Sequence, residues 1–281
     1  MRSMQLDNAL GWQAPHLGSP TRTAEVFRAH VEFELKQSRY IIKTAQTQAE
    51  FEQVIALRTA VFLEEFAGKD PSHLRDIEDR DLTSDFIIIK DAVSQEVLGS
   101  YRMICSQFSQ DFYSQSEFEI DDFLDRPGIK LELSRACVRA DKRSSGIFVH
   151  LLWRGISEYV QRCGARYLFG CSSIQSLDLR QLLGIYRYLR GEGSWGTDFS
   201  VRPHPAYHVL DLEGILSVGK PDAMPVSERN IPPLLMGYLR AGARVYGGPA
   251  YDEDFGCLDL FTVLDFERLS EAHSRKYMQT A

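Results

Sequence analysis

Lys130-Leu131-Glu132-Leu133-Ser134-Arg135-Ala136-Cys137-Val138 runs without a break into Arg139-Ala140-Asp141-Lys142-Arg143-Ser144-Ser145-Gly146, a strand delivered into the start of a helix. Leu131, Leu133 and Cys137 fall on one face of the strand, and Glu132, Ser134 and Ala136 on the other. So apolar a strand is central, so Glu132 turns its charge into a cleft or onto a paired partner. Strict alternation sets Arg135 opposite Glu132 unless a bulge re-aims it. Spacing alone supports a structural Glu–Arg network as well as a functional pair. Small residues at the strand-to-helix turn expose backbone N–H groups at a helix N-terminus. With Arg139, Lys142 and Arg143 beside them, these groups suit a phosphate diester. A solvated basic face is the plain alternative.

Working outward, Gly146–Cys163 has helical periodicity and Arg166–Cys171 reads as a short buried strand. Upstream, Asp85–Lys90 and Val97–Ile104 form a hairpin. Gln48–Phe66 is an amphipathic helix, and Tyr40–Lys43 a first strand. Residues 25–37 are expected to form a short leading helix. Beyond the centre come a helix near 177–189, an irregular stretch 191–230, a helix near 234–241, strands at 243–251 and 257–264, and a closing helix. This α/β alternation with one inserted hairpin predicts a single domain over 39–281 preceded by an extension over 1–38.

An apolar fraction of 44% with 25% charged residues is ordinary globular composition for 281 residues. No run approaches the 18 apolar residues of a membrane span, and the start lacks the apolar core of a signal peptide. The expected location is therefore the cytoplasm. Five cysteines without a CxxC pair suggest neither disulfides nor zinc, and no metal site is expected. The net charge of −7 argues against nucleic acid. That charge is unevenly spread. Leu63–Asp125 holds sixteen acidic and five basic residues, whereas Arg126–Arg166 holds nine basic and three acidic. The basic block suits an acidic partner, or is a solvated face.

Arg143-Ser-Ser-Gly146 resembles the first half of the pyrophosphate loop of the GNAT superfamily of N-acyltransferases, with Phe148 where the second small residue belongs. From about residue 39 onward the chain resembles the ornithine-acyl carrier protein N-acyltransferases and related N-acyl amino acid synthases, cousins of the acyl-homoserine-lactone synthases. The resemblance rests on Arg58-Thr-Ala-Val61-Phe62, Gly99-Ser-Tyr-Arg102, Glu132-Leu-Ser-Arg135, Leu152-Trp-Arg-Gly-Ile156, Phe169-Gly-Cys171, Ile231–Ala243 and Asp252-Glu-Asp-Phe255-Gly-Cys-Leu-Asp259. It implies an α/β fold with a GNAT-like mixed, mostly antiparallel central sheet flanked by helices and elaborated at the C-terminus.

The resemblance also implies roles. Arg58, Phe62, Glu78, Asp79, Asp81 and Arg102 would form the pocket for the amine substrate, and Glu132 with Arg135 the catalytic pair. Val138, Arg139, Lys142, Arg143 and Gly146 would meet phosphopantetheine and the acidic carrier protein. The implied reaction moves a long-chain fatty acyl group, 3-hydroxylated or not, from acyl carrier protein to a small amino acid such as ornithine. The product is an N-acyl amino acid or lyso-ornithine lipid, a route to peripheral association with the inner face of the membrane. No permanently bound cofactor is implied; the thioester is a co-substrate, and acyl-CoA an alternative donor. The rival readings are a small-acyl-CoA N-acetyltransferase and a non-catalytic thioester- or lipid-binding protein.

Overall fold

The computed structural model describes residues 27–66, 74–175, 178–208, 231–253 and 255–269, with residues 68, 70, 214 and 215. Its centre is an eight-stranded sheet built from β1 (Glu34–Gln37), β2 (Tyr40–Thr44), β3 (Asp85–Asp91), β4 (Val97–Cys105), β6 (Ile129–Val138), β7 (Ala165–Ile174), β9 (Arg244–Asp252) and β10 (Cys257–Asp265). The order is β1-β2-β3-β4-β6-β7-β10-β9, while β5 (Phe118–Glu119) and β8 (Arg202–Pro203) form a separate pair. Within the large sheet β6 and β7 run parallel and every other neighbouring pair is antiparallel. This is the mostly antiparallel mixed sheet that the sequence implies.

Helices cover both faces because β3 is apolar on both. Phe86 and Ile88 share a cluster with Phe51, Val54 and Ile55 of α1 (Gln48–Arg58), and Ile87 and Ile89 share one with Leu151, Leu152 and Ile156 of α3 (Ile147–Cys163). Thr47 caps α1 by accepting from the Glu50 N–H at 3.2 Å. The helix then widens into π-helical turns over Thr59–Phe66. Helix α3 can lie close on the sheet because it carries Gly155. A Cβ there would come within 2.7 Å of Ile87 Cγ2. A four-residue turn α2 (Asp121–Leu124), then α4 (Leu179–Gly191) and α5 (Pro233–Ala241), complete the helices discussed here.

The expected leading helix is not what forms over its described part. Residues 34–37 are edge strand β1, paired with β2 from Glu34↔Lys43 to Gln37↔Tyr40. Val31, Phe33 and Leu35 contact one core cluster, a period of two that outweighs the partial helical register. The sheet thus begins inside the segment assigned to the leading extension. The closing helix expected at the C-terminus lies largely outside the described residues, which end in a 3-10 turn at Phe266–Arg268 and Leu269.

Strands β6 and β7 stay paired from Ile129↔Ala165 to Glu132↔Phe169 and then part. Beyond that point β6 keeps to β4 as far as Val138, and β7 keeps to β10 as far as Ile174. Gly170 stands at the fork, where a Cβ would lie 2.3 Å from the Leu133 carbonyl oxygen. Gly170→Ala is expected to force the strands apart and lower stability by about 1–3 kcal/mol, measurable by urea unfolding.

Candidate active site

At the fork β6 also bulges. Ser134 pairs with Arg102 and Cys137 with Ser100, so Arg135 and Ala136 stand opposite Tyr101 alone. Arg135 takes a left-handed φ of 54°, a conformation that costs a non-glycine residue free energy and that here accompanies the bulge. The bulge re-aims Arg135 into a dense ionic cluster. Arg58 Nη1 and Arg102 Nη1 both donate to Asp81 Oδ1 at 2.8 Å, and Arg58 Nε donates to Asp76 Oδ2 at 2.9 Å. Arg102 also reaches Glu78 at 3.2 Å and the Ser134 hydroxyl at 2.9 Å, while Arg135 Nη2 donates to Glu78 Oε1 at 2.6 Å. Burial pushes the Asp81 carboxyl up, but the two guanidinium groups more than offset it and hold it at about 2.

The structure therefore brings Arg58, Glu78, Asp81, Arg102 and Arg135 together, with arginine and carboxylate 21 to 57 residues apart in sequence where they bond. It turns the carboxylates onto arginines rather than into open space. Asp81 Oδ2 is used as well, by the Glu78 N–H at 2.8 Å, and Asp79 is exposed. Asp76, which the sequence reading missed, belongs to the same network. Its only signal is its place in the acidic loop.

Glu132 is fully buried, and none of its atoms lines a cavity described below. Its Oε1 accepts from the Ser114 N–H and hydroxyl, and its Oε2 from the Tyr113 N–H, each at 2.6 Å. Burial pushes its carboxyl up against the pull of those donors. The carboxylate thus holds the 3-10 turn Tyr113–Ser116 against the sheet, and so sets the Tyr113 ring, over which the Arg135 guanidinium lies at 4.9 Å.

Two cavities of about 210 Å³ each open on the forked strands. The polar one is bounded by Phe62, Tyr113, Arg135, Cys171, Asp252, Phe255 and Asp259. The apolar one is bounded by Val138, Val149, Leu152, Trp153, Ile156 and Tyr238, with Arg143 among its lining residues. Tyr101, Ala136 and Leu234 line both. The Tyr101 and Tyr238 hydroxyls are hydrogen-bonded to each other. The two spaces are neighbours across these shared residues, beside the stretch where the bulge frees β6 from β7. Glu132 reaches this junction through Tyr113 rather than directly.

Of the expected donor-binding residues, Val138 and Arg143 line the apolar chamber. Arg143 Nε donates to the Val138 carbonyl at 2.7 Å, and its Nη1 pairs with Glu65 at 2.6 Å. Gly146, at φ 63°, is the cap residue from which α3 starts, with nothing within 4 Å of a notional Cβ. Arg139 and Lys142 lie at the surface, paired with Asp141 at 2.7 and 3.0 Å. Phe66, Ile147, Val149 and Leu234 are exposed apolar residues of the same region of the fold.

The sequence reading gave no role to Asp252 or Asp259, and overlooked Glu117. Asp259, a buried acid between Leu258 and Leu260 in a strand, carries the same signal that drew attention to Glu132.

Residues 57–154 match the acetyltransferase (GNAT) domain family. Over 254 residues the chain is 30% identical to an L-ornithine N(alpha)-acyltransferase of Brucella abortus, covering 84% of this chain and 88% of that protein. It is 29% identical over 253 residues to one of Rhizobium meliloti, covering 84% and 83%. Among solved structures, the acyl-homoserine-lactone synthase LasI aligns at 12% identity with a TM-score of 0.46, covering 85% of this chain and 94% of that one.

Proposed function

The chain belongs to the L-ornithine N(alpha)-acyltransferase family, and we propose that it carries a long-chain fatty acyl group from acyl carrier protein to the α-amine of ornithine. That it is an acyltransferase follows from the family. The observation that carries the finer reading is the pair of neighbouring chambers that share Ala136 in their linings, one with Arg135, Asp252 and Asp259 in its wall and the other mainly apolar. Each suits one half of an amide-forming reaction.

In this reading the pantetheine thioester enters beside Arg143 and α3, with the acyl chain against Leu152, Trp153 and Ile156. The amino acid occupies the polar chamber. Arg135, whose side chain lines the chamber, binds its carboxylate there, while its Nε keeps an ion pair with Asp76 Oδ1 at 3.5 Å. The α-ammonium sheds a proton to water in the cleft, and the free amine attacks the thioester carbonyl. Backbone N–H groups of the unzipped stretch Ala136–Val138 stabilise the oxyanion. The carbon–sulfur bond breaks and the thiolate takes up a proton, a step helped by the thiol pKa of about 8.5. Glu132 acts at one remove, by positioning Tyr113 beside Arg135. The arginine cluster of Arg58 and Arg102 with Glu78 and Asp81 fixes the bulge that presents Arg135, and Phe62 walls the chamber.

The surface cations Arg139, Lys142 and Arg143, with Gly146 at the helix start, would receive the phosphate and the acidic carrier protein. Among the described residues no helix is long and apolar enough to cross a membrane. We place the reaction in the cytoplasm, at the membrane face into which a lyso-ornithine product would partition.

The test is incubation of the purified chain with 3-hydroxy and plain acyl carrier proteins plus L-ornithine, following free thiol and product mass. N-acyl-ornithine is expected. Turnover with acetyl-CoA and none with long-chain donors would reverse the donor assignment, and no amide from any donor would end the proposal. Arg143→Glu is expected to slow the carrier-protein reaction roughly tenfold at low salt and less at high salt, through encounter rate. The rate with acyl-pantetheine alone, which lacks the acidic protein, should fall less.

A further inference from the structure

The polar chamber ends in carboxyl groups that the acyl transfer does not use. Asp252 closes β9 and Asp259 lies in β10. One ligand atom from each, with the Cys257 sulfur, falls within a 4.8 Å spread. Both aspartates line the chamber. Near them Glu117, at the end of the Tyr113–Ser116 turn, is 1% exposed and Asp259 is 3% exposed. Among the described residues neither carboxyl oxygen of Glu117 meets hydrogen-bond geometry with a partner, nor does Asp259 Oδ1, although Tyr113 and Cys171 stand close enough to Glu117, and Ser173 to Asp259, to favour their ionised forms. No basic side chain forms an ion pair with either residue there, in contrast to Asp76, Glu78 and Asp81, which arginines hold.

Buried acids left without cations are costly as carboxylates. Burial, and then the charge of Asp259, push the Glu117 carboxyl up to about 9, and burial raises Asp259 too. The other charged or titratable groups facing the cluster are Arg135 on β6, Tyr113, Cys171 on β7 and Cys257 on β10.

We infer that Asp252 and Asp259, with Glu117 buried behind them, form a subsite for a primary ammonium on the acceptor's side chain, so that the enzyme selects diamino acids. The inference rests on the reading that an amino acid acceptor binds in this chamber. Two N–H···O bonds of about 2.8 Å in tetrahedral directions place their acceptors about 4.6 Å apart, a separation compatible with carboxylate oxygens of Asp252 and Asp259 that lie within 4.8 Å of each other. With the acceptor's carboxylate on Arg135 and its side-chain ammonium on the aspartates, the α-amine is left towards Ala136. A divalent metal is the competing occupant of Asp252, Cys257 and Asp259. Burial keeps the Cys257 thiol protonated, which weakens it as a ligand.

The experiment compares L-ornithine with L-norvaline, the same carbon chain without the second amine, at saturating acyl donor in the thiol-release assay. For the wild type, kcat/KM for norvaline is expected to lie on the order of 10³-fold or more below that for ornithine, because rejection leaves buried acceptors unpaired. In Asp259→Asn the ratio between the two acceptors should shrink at least fiftyfold. Glu117→Gln should shrink it in the same direction, and it serves if Asp259→Asn does not fold. Norvaline used as well as ornithine would overturn the subsite while leaving acyl transfer intact. An unchanged ratio in both folded variants would also overturn it. Activity lost to a chelator and restored by zinc would assign the cluster to a metal instead. No amide from any amino acid would sink the acyl-transfer reading itself, and the subsite with it.

Discussion

Asp81→Asn is expected to lower the free energy of unfolding by about 3–5 kcal/mol, the usual cost of removing one partner from a buried ion pair. Arg58 and Arg102 are fully buried and share one Asp81 oxygen, so an amide leaves two cations facing a neutral group. The second Asp81 oxygen also caps the backbone at Glu78, a contact that Asn keeps only at the expense of the first. The pH dependence has a definite direction. The folded-state pKa of Asp81 is depressed to about 2, below its ordinary 3.8, so its stabilising contribution is complete above pH 4. It is lost as pH falls through 2, so the gap between wild type and variant should narrow in acid. Urea unfolding at pH 7 and at pH 3 reads both effects. A variant within about 1 kcal/mol of wild type at pH 7 would mean the arginines re-pair elsewhere.

Glu132→Gln is expected to cut turnover on the order of a hundredfold, the penalty for misplacing a group at a reacting centre by about 1 Å. Three donors converge on the Glu132 carboxylate, and the amide of glutamine must turn its own N–H₂ towards one of them. Leaving a buried donor unmatched costs about 1–3 kcal/mol, so the Tyr113–Ser116 turn should loosen. Two roles for Glu132 are then separable by the pH–rate profile. A positioning residue lowers the whole profile and leaves its limbs in place, whereas loss of a general base removes the limb belonging to that base. The buried, triply bonded carboxylate leads us to expect the former. A variant as active as wild type would show that the position of Tyr113 does not matter to the reaction.

How legible all this is from sequence depends on the range of the interaction. The helix start at Gly146, the strand Lys130–Val138 and the Asp85–Ile104 hairpin are local patterns, and each forms close to its expected bounds. Residues 31–35 misled because apolar positions over so short a run fit either period, and pairing with β2 decided for the strand. The charged cluster was half legible. Arg58, Glu78, Asp81, Arg102 and Arg135 could be named as companions, yet whether their carboxylates face a substrate or an arginine depends on contacts up to 57 residues apart.

By itself the sequence determined an α/β chain built around one strand–loop–helix unit, with an acidic half, a basic block and the residues of an acyltransferase. Alternation, capping and composition act within a few residues, and the order of residues carries them completely. Only the tertiary structure decided which carboxyl groups remain open. The bulge at Arg135, the fork at Gly170 and the register of β10 against β7 surround the buried carboxylates of Glu132 and Asp81 with donors and bring Asp259 to the cavity wall. The physical reason is that a buried charge is defined by what neutralises it, and that partner comes from wherever the fold brings one.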